Sequence, residues 1–153
     1  MVAVTPEVAF EVFTRELDQW WRRGPQYRFA GRSPGVLTFE EGVGGRLFET
    51  YQSESGTHLL VRGQVTAWDP PARLAFDWRG GNFAPHEVTR VEVSFEPTER
   101  GTWVTVVHSG WASLREGHPA RHGHTGAALS RMLGQWWGVL MSGLREHIAA
   151  RGQ

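Results

Sequence analysis

The sequence predicts an α+β fold in which a curved antiparallel sheet of six to seven strands wraps around one long C-terminal helix. Three observations predict it. Residues 127–150 repeat their apolar side chains at helical intervals. Residues 27–111 alternate apolar and polar side chains between glycine- and proline-rich separators. Residues 5–21 open with a helix cap and continue with an apolar helical period. A chain of 153 residues fits one domain, 1–153, with a core that needs no staples.

The long helix sets the scale of the core. Leu129, Met132, Leu133, Trp136, Trp137, Leu140, Met141, Leu144 and Ile148 follow in steps of three and four. At 100° per residue they span a sector roughly 200° wide, broader than the stripe of an ordinary surface helix. Arg131, Gln135, Ser142, Arg145 and Glu146 hold the other side. Gly134 and Gly138 lie near the polar boundary at about 1 kcal/mol each in helix propensity, and close approach of a loop or a second subunit is the expected reason.

At the other end, Thr5-Pro6-Glu7 supplies a hydroxyl cap, a proline at the first helical position and an early carboxylate. Phe10, Phe13, Leu17, Trp20 and Trp21 follow at helical spacing, as one helix or two with a kink. Residues 2–4 are left as a very short first strand.

Six further strands are expected near 36–40, 46–52, 58–68, 73–79, 88–96 and 102–111. Alternation places Val61, Gly63, Val65 and Ala67 on one side, with Leu74, Phe76 and Trp78, with Val91, Val93 and Phe95, and with Val104, Val106 and His108. Arg62, Gln64, Thr66, Asp77, Arg79, Arg90, Glu92 and Ser94 take the other. One apolar face and one polar face describe a sheet wetted on one side. The strand with Glu49 and Tyr51 carries large apolar residues on both faces, so its sides stay open. An inward Glu49 needs a partner or an upward pKa shift.

Composition narrows the functional classes. Sixteen basic and sixteen acidic residues balance, and no basic run stands out, which argues against nucleic acid as a partner. No apolar run reaches the length of a membrane span, and the start lacks a signal peptide's apolar region. The absence of cysteine excludes disulfide and thiolate chemistry and is compatible with a reducing compartment. The protein is therefore expected in the cytoplasm.

Chemistry-bearing residues are few. His108 ends the apolar row of its strand and points into the concavity, as a ligand-orienting group, a general base or a structural histidine. Trp78, Phe76, Trp111, Trp136 and Trp137 are candidates for an aromatic wall or for ordinary core. His118, His122 and His124 lie within seven residues, but their separations share no helix face, so no native zinc site is expected. There is no phosphate loop, no defensible Ser-His-Asp order and no thiol nucleophile. No catalytic residue and no cofactor are assigned.

Several stretches together resemble a known family. They are Thr5-Pro6-Glu7-Val8-Ala9-Phe10, Phe13-Thr14 with Trp20-Trp21, Gly44-Gly45-Arg46, and above all Trp68-Asp69-Pro70-Pro71-Ala72-Arg73-Leu74-Ala75-Phe76-Asp77-Trp78. Val107-His108-Ser109-Gly110-Trp111 and Gly134-Gln135-Trp136-Trp137 complete the set. The chain resembles the SRPBCC (START/Bet v 1-like) superfamily. Within it, the chain is similar to bacterial relatives of the C-terminal domain of the activator of heat-shock-protein-90 ATPase. Family members usually carry a fuller first strand than residues 2–4.

The resemblance implies a helix-grip fold with a cavity between the long helix and the sheet. It implies Val65, Phe76, Trp78, Val93, Val106, His108, Met132, Trp136, Trp137 and Leu140 as cavity residues. Fold alone does not settle function. The first expectation is a module that binds an apolar small molecule, lipid-like or aromatic. The alternatives are a polyketide cyclase/aromatase-like enzyme and a co-chaperone-like protein-binding module, which needs an exposed patch on the outer surface. Edge strands make a homodimer a further candidate assembly.

Overall fold

The computed structural model describes residues 1–23, 27, 35–79, 83–115, 118–121, 124 and 126–151. The capped start forms α1 (Pro6–Arg15), with Thr5 Oγ1 accepting the Val8 N–H at 3.4 Å. Ala9, Phe10, Val12 and Phe13 are buried along its inner face. Glu16 separates it from a short α2 (Leu17–Trp20), so the expected helical start is two helices.

Six strands follow: β1 (Gly35–Phe39), β2 (Arg46–Ser53), β3 (Gly56–Asp69), β4 (Arg73–Trp78), β5 (Thr89–Thr98) and β6 (Gly101–Ser109). Each pairs antiparallel with its sequence neighbour in one sheet, ordered β1-β2-β3-β4-β5-β6. The expected strand over 2–4 is reduced to one bridge, Val2 with Thr102. The exposed edge of β1 is capped by side chains. Asp18 Oδ1 accepts the Leu37 N–H at 3.0 Å, and Arg23 Nη1 donates to the Gly35 carbonyl at 3.4 Å. Such capping blocks pairing with another chain.

Two bulges in β3 revise the expected faces. Leu47 pairs with Gly63 and Phe48 with Val61, leaving Arg62 as an extra residue. Val65 pairs with Phe76 and Ala67 with Ala75, leaving Thr66 extra. Each inserted residue moves the chain beyond it to the opposite face. Of the expected inward row, Gly63 and Val65 stay on the concave side, whereas Val61 is 43% exposed on the outer face. Trp68 turns inward instead, edge-on to Phe10 with ring centres 5.1 Å apart.

The faces of β2 are now assigned. Leu47 and Glu49 point inward beside Phe39 and Leu37, and Glu49 is closed to solvent. Arg62 supplies an opposite charge. Burial lowers the Arg62 pKa, and the fields of Glu49 and Tyr51 oppose that shift. A Cβ on Gly35 would collide with the Glu49 carboxylate. The outer face is less polar than the alternation implied. Val36, Leu59 and Val61 are exposed on β1 and β3, and Trp103 and Val107 on β6.

The long helix is α3 (Gly126–Arg151). Its fully buried residues are Leu129, Trp137, Leu140, Gly143, Leu144 and Ile148. This stripe is narrower than the sector expected from sequence: Met132, Leu133, Trp136 and Met141 are half-buried. A Cβ on Gly143 would lie 2.7 Å from the Trp20 carbonyl oxygen, so α3 meets α2 at a point where only glycine fits without displacement. Among the described residues nothing lies within 4 Å of a Cβ added at Gly134 or Gly138, which corrects the expected close approach of a loop there.

The core joins α1, α2, the concave sheet and the C-terminal half of α3. Phe10, Phe13, Phe39, Phe76 and Phe95 interlock with Trp20, for example Phe13 with Trp20 at 4.9 Å and Phe39 with Phe76 at 5.1 Å.

Candidate ligand cavity

Between the N-terminal half of α3 and the sheet lies a cavity of about 160 Å³. Trp78 of β4, His108 of β6, and Met132, Leu133 and Trp136 of α3 line it. Trp111 and Ala120, from the connection between β6 and α3, complete the wall. The aromatic groups brace one another. Trp78 and Trp136 meet edge-on at 6.1 Å and Trp136 and Trp137 at 5.2 Å, while His108 and Trp111 lie tilted at 4.8 Å. Trp21 closes the far side against Trp78 and Trp137.

His108 is held at both ring nitrogens. Trp137 Nε1 donates to His108 Nδ1 at 3.1 Å, so Nδ1 is the acceptor. The hydrogen is therefore on Nε2, which donates to Thr89 Oγ1 at 2.8 Å. Thr89 Oγ1 in turn donates to the Trp78 carbonyl at 2.8 Å. Burial pushes the imidazole pKa from 6.5 down to about 4. At neutral pH His108 is an uncharged ring that ties α3 to β4, β5 and β6.

A second polar cluster fastens the segment carrying Trp111 and Ala120. Glu87 is closed to solvent. Its carboxylate accepts the Ala84 N–H at 2.7 Å, the Arg115 N–H at 3.1 Å and Arg115 Nη1 at 2.9 Å. These contacts, led by the Ala84 N–H, hold its pKa below the usual carboxylate range. His118 is buried edge-on to Phe83 at 4.9 Å, its Nδ1 accepting the Ala120 N–H. Arg121 Nη2 donates to the carbonyls of Trp111 and Leu114. His118 is thus engaged in packing, His122 lies outside the described residues, and no trio of potential metal ligands occurs among the described residues.

Of the residues named from sequence, Trp78, His108, Trp111, Met132 and Trp136 come together around the cavity. Trp137 stands directly behind, bonded to His108. Val65, Phe76, Val93 and Leu140 are fully buried in the core, and Val106 packs against it half-buried. Thr89, Ala120 and Leu133 belong to the site without having been assigned to it. The row Thr89, Val91, Val93, Phe95 signals the inward threonine, whereas nothing local signals Ala120. A larger depression of about 440 Å³ lies between α1 and the β3–β4 turn, but its walls carry the paired charges Glu11, Arg15 and Glu41 and no residue of α3.

The family described as Activator of Hsp90 ATPase homolog 1-like protein matches residues 3–136. No curated protein matches the chain. Among solved structures, a protein from Rhodobacter sphaeroides is 22% identical with a TM-score of 0.65, covering 98% of this chain and 88% of its own. An Hsp90 activator from Plasmodium falciparum is 19% identical with a TM-score of 0.62, covering 96% and 90%. The Aha1 dimer from Colwellia psychrerythraea is 17% identical with a TM-score of 0.61, again covering 96% and 90%. The fold is the α+β helix-grip fold that these structures share.

Proposed function

The chain belongs to the Activator of Hsp90 ATPase homolog 1-like family, and from that premise we propose that it binds an apolar small molecule between α3 and the sheet. The observation that carries this reading is the aromatic cavity beside the neutral, doubly bonded His108. A concave apolar site with a few placed polar groups is the usual form of a small-molecule site. Among the described residues His108 is the only titratable side chain lining the cavity, and both its nitrogens are engaged. That favours binding over the proton transfers that a cyclase-like activity needs.

Native mass spectrometry of the purified protein tests the reading. A stoichiometric apolar adduct is expected. Leu133→Trp, which fills the space, should lose it while keeping the thermal midpoint. Retention of the adduct in Leu133→Trp would move the site elsewhere and defeat the proposal.

One observation favours a second reading, a protein-docking role of the kind named for the Plasmodium relative. Val36, Leu59 and Val61 are exposed on the outer face at the β1–β3 end of the sheet. If that role holds, replacing all three with serine abolishes capture of a chaperone and leaves small-molecule binding intact. Assembly as a homodimer, the state of the Colwellia relative, is open to sedimentation analysis.

A further inference from the structure

We infer that two copies of this chain join through the outer edge of β6, strand against strand, into one continuous sheet. The inference is independent of the cavity reading. It starts from a contrast between the two edges of the sheet. At β1 the side chains of Asp18 and Arg23 occupy the main-chain groups of Leu37 and Gly35. Beyond Thr102, β6 has no such cover among the described residues.

Hydrogen-bond parity identifies the open groups. Thr102 donates its N–H to the Val2 carbonyl and accepts the Val2 N–H, both at 2.9 Å. These bonds point away from β5. Main-chain groups alternate sides along a strand, and the register between β5 and β6 runs without a bulge. Val104, Val106 and His108 therefore turn their N–H and C=O groups to the same outer edge as Thr102. Among the described residues those main-chain groups have no partner. The devices that protect an edge are also missing from the strand. Its sequence GTWVTVVHS holds no lysine, no acidic residue and no proline. On its outer face Trp103 and Val107 are each 54% exposed.

A second copy satisfies each of these features. Antiparallel pairing about a two-fold axis at Val106 sets Val106 opposite the partner's Val106, and Val104 opposite the partner's His108. Every open N–H and C=O of the three residues is then paired, and such a contact closes at two chains. On the outer face Thr105 meets the partner's Val107, and Trp103 lies diagonal to it, within reach of an aromatic side chain. No like charges oppose each other, because β6 carries none and the chain balances sixteen basic with sixteen acidic residues. The strand ends at Ser109 and turns at Gly110, where φ is 88°, so each copy leaves the edge before it reaches the partner's Val2.

Sedimentation equilibrium of the full chain should show a monomer–dimer equilibrium. The double variant Thr105→Lys, Val107→Lys sets lysines opposite one another across the axis and should weaken the dimer about tenfold or more. The variant Thr105→Glu, Val107→Glu should be weakened likewise, and an equal mixture of the two should restore a dimer containing one of each. Amide hydrogen exchange in the wild type supplies a readout that needs no variant. The Val104, Val106 and His108 amides should gain protection as the protein concentration rises. A chain that stays monomeric at millimolar concentration overturns the inference. So does a dimer that leaves those three amides unprotected, or one that both charge variants form as tightly as the wild type.

Discussion

The two halves of α3 do different work. From Trp137 to Ile148 the helix is clamped. Leu140 and Leu144 are inaccessible to solvent, and Gly143 lets the backbone rest on the Trp20 carbonyl. Arg22 bonds Glu146, and His147 and Arg151 both reach Glu16. From Met132 to Trp136 the helix borders the cavity, with Met132, Leu133 and Trp136 half-buried. The same apolar period thus serves as core at one end and as cavity wall at the other. Stability and the proposed binding are separable along one helix, and the seam between them is the hydrogen bond from Trp137 to His108.

Mutation can break that contrast most directly at its extremes. Leu144→Ala should cost about 2–5 kcal/mol, because it opens a void in a closed core. Met132→Ala should cost under about 1 kcal/mol, because its side chain already borders a void and solvent. Urea denaturation of both variants checks the difference, and equal losses would erase the division of the helix.

The seam itself titrates. His108 has a folded pKa of about 4 against 6.5 in the unfolded chain, so the unfolded state binds more protons between those values. The associated stability is fully present above pH 6.5, falls as the pH drops, and is lost near pH 4. The total is about 3 kcal/mol. His108→Gln should flatten this part of the stability profile, measured by denaturation at a series of pH values. A profile unchanged by the substitution would place the titration on another group.

Smaller effects, of opposite sign, sharpen the contrast through glycine. Gly143→Ala should destabilise by about 1–3 kcal/mol, because the added carbon meets the Trp20 carbonyl at 2.7 Å. Gly134→Ala, with open space around it, should stabilise by about 1 kcal/mol through helix propensity alone. Thermal melts of the two variants should move in opposite directions.

Much of the fold was legible locally. Thr5-Pro6-Glu7, the strand separators and the long apolar period lie within a residue or two of the observed boundaries, because caps, turns and periodicity are local chemistry. The site was half legible. Trp78, His108, Met132 and Trp136 share faces that periodicity can find. Ala120 reaches the cavity only because Arg121 and the Glu87 cluster fasten its loop. The fate of Val61 depended on two bulges that alternation cannot reveal, and the side of Glu49 on its pairing with Leu37.

The sequence by itself determined the order of elements, the concave rows of β4, β5 and β6, and the helix that fills them. Backbone propensity and apolar spacing act within a few residues. Only the tertiary structure decided which glycine is a contact and which is free, and which face Arg62 and Trp68 serve. It also decided that His108 is a neutral tie between helix and sheet, and that the apolar sector of α3 encloses a cavity at one end. Those outcomes depend on register, close approach and solvent exclusion between segments far apart in the chain.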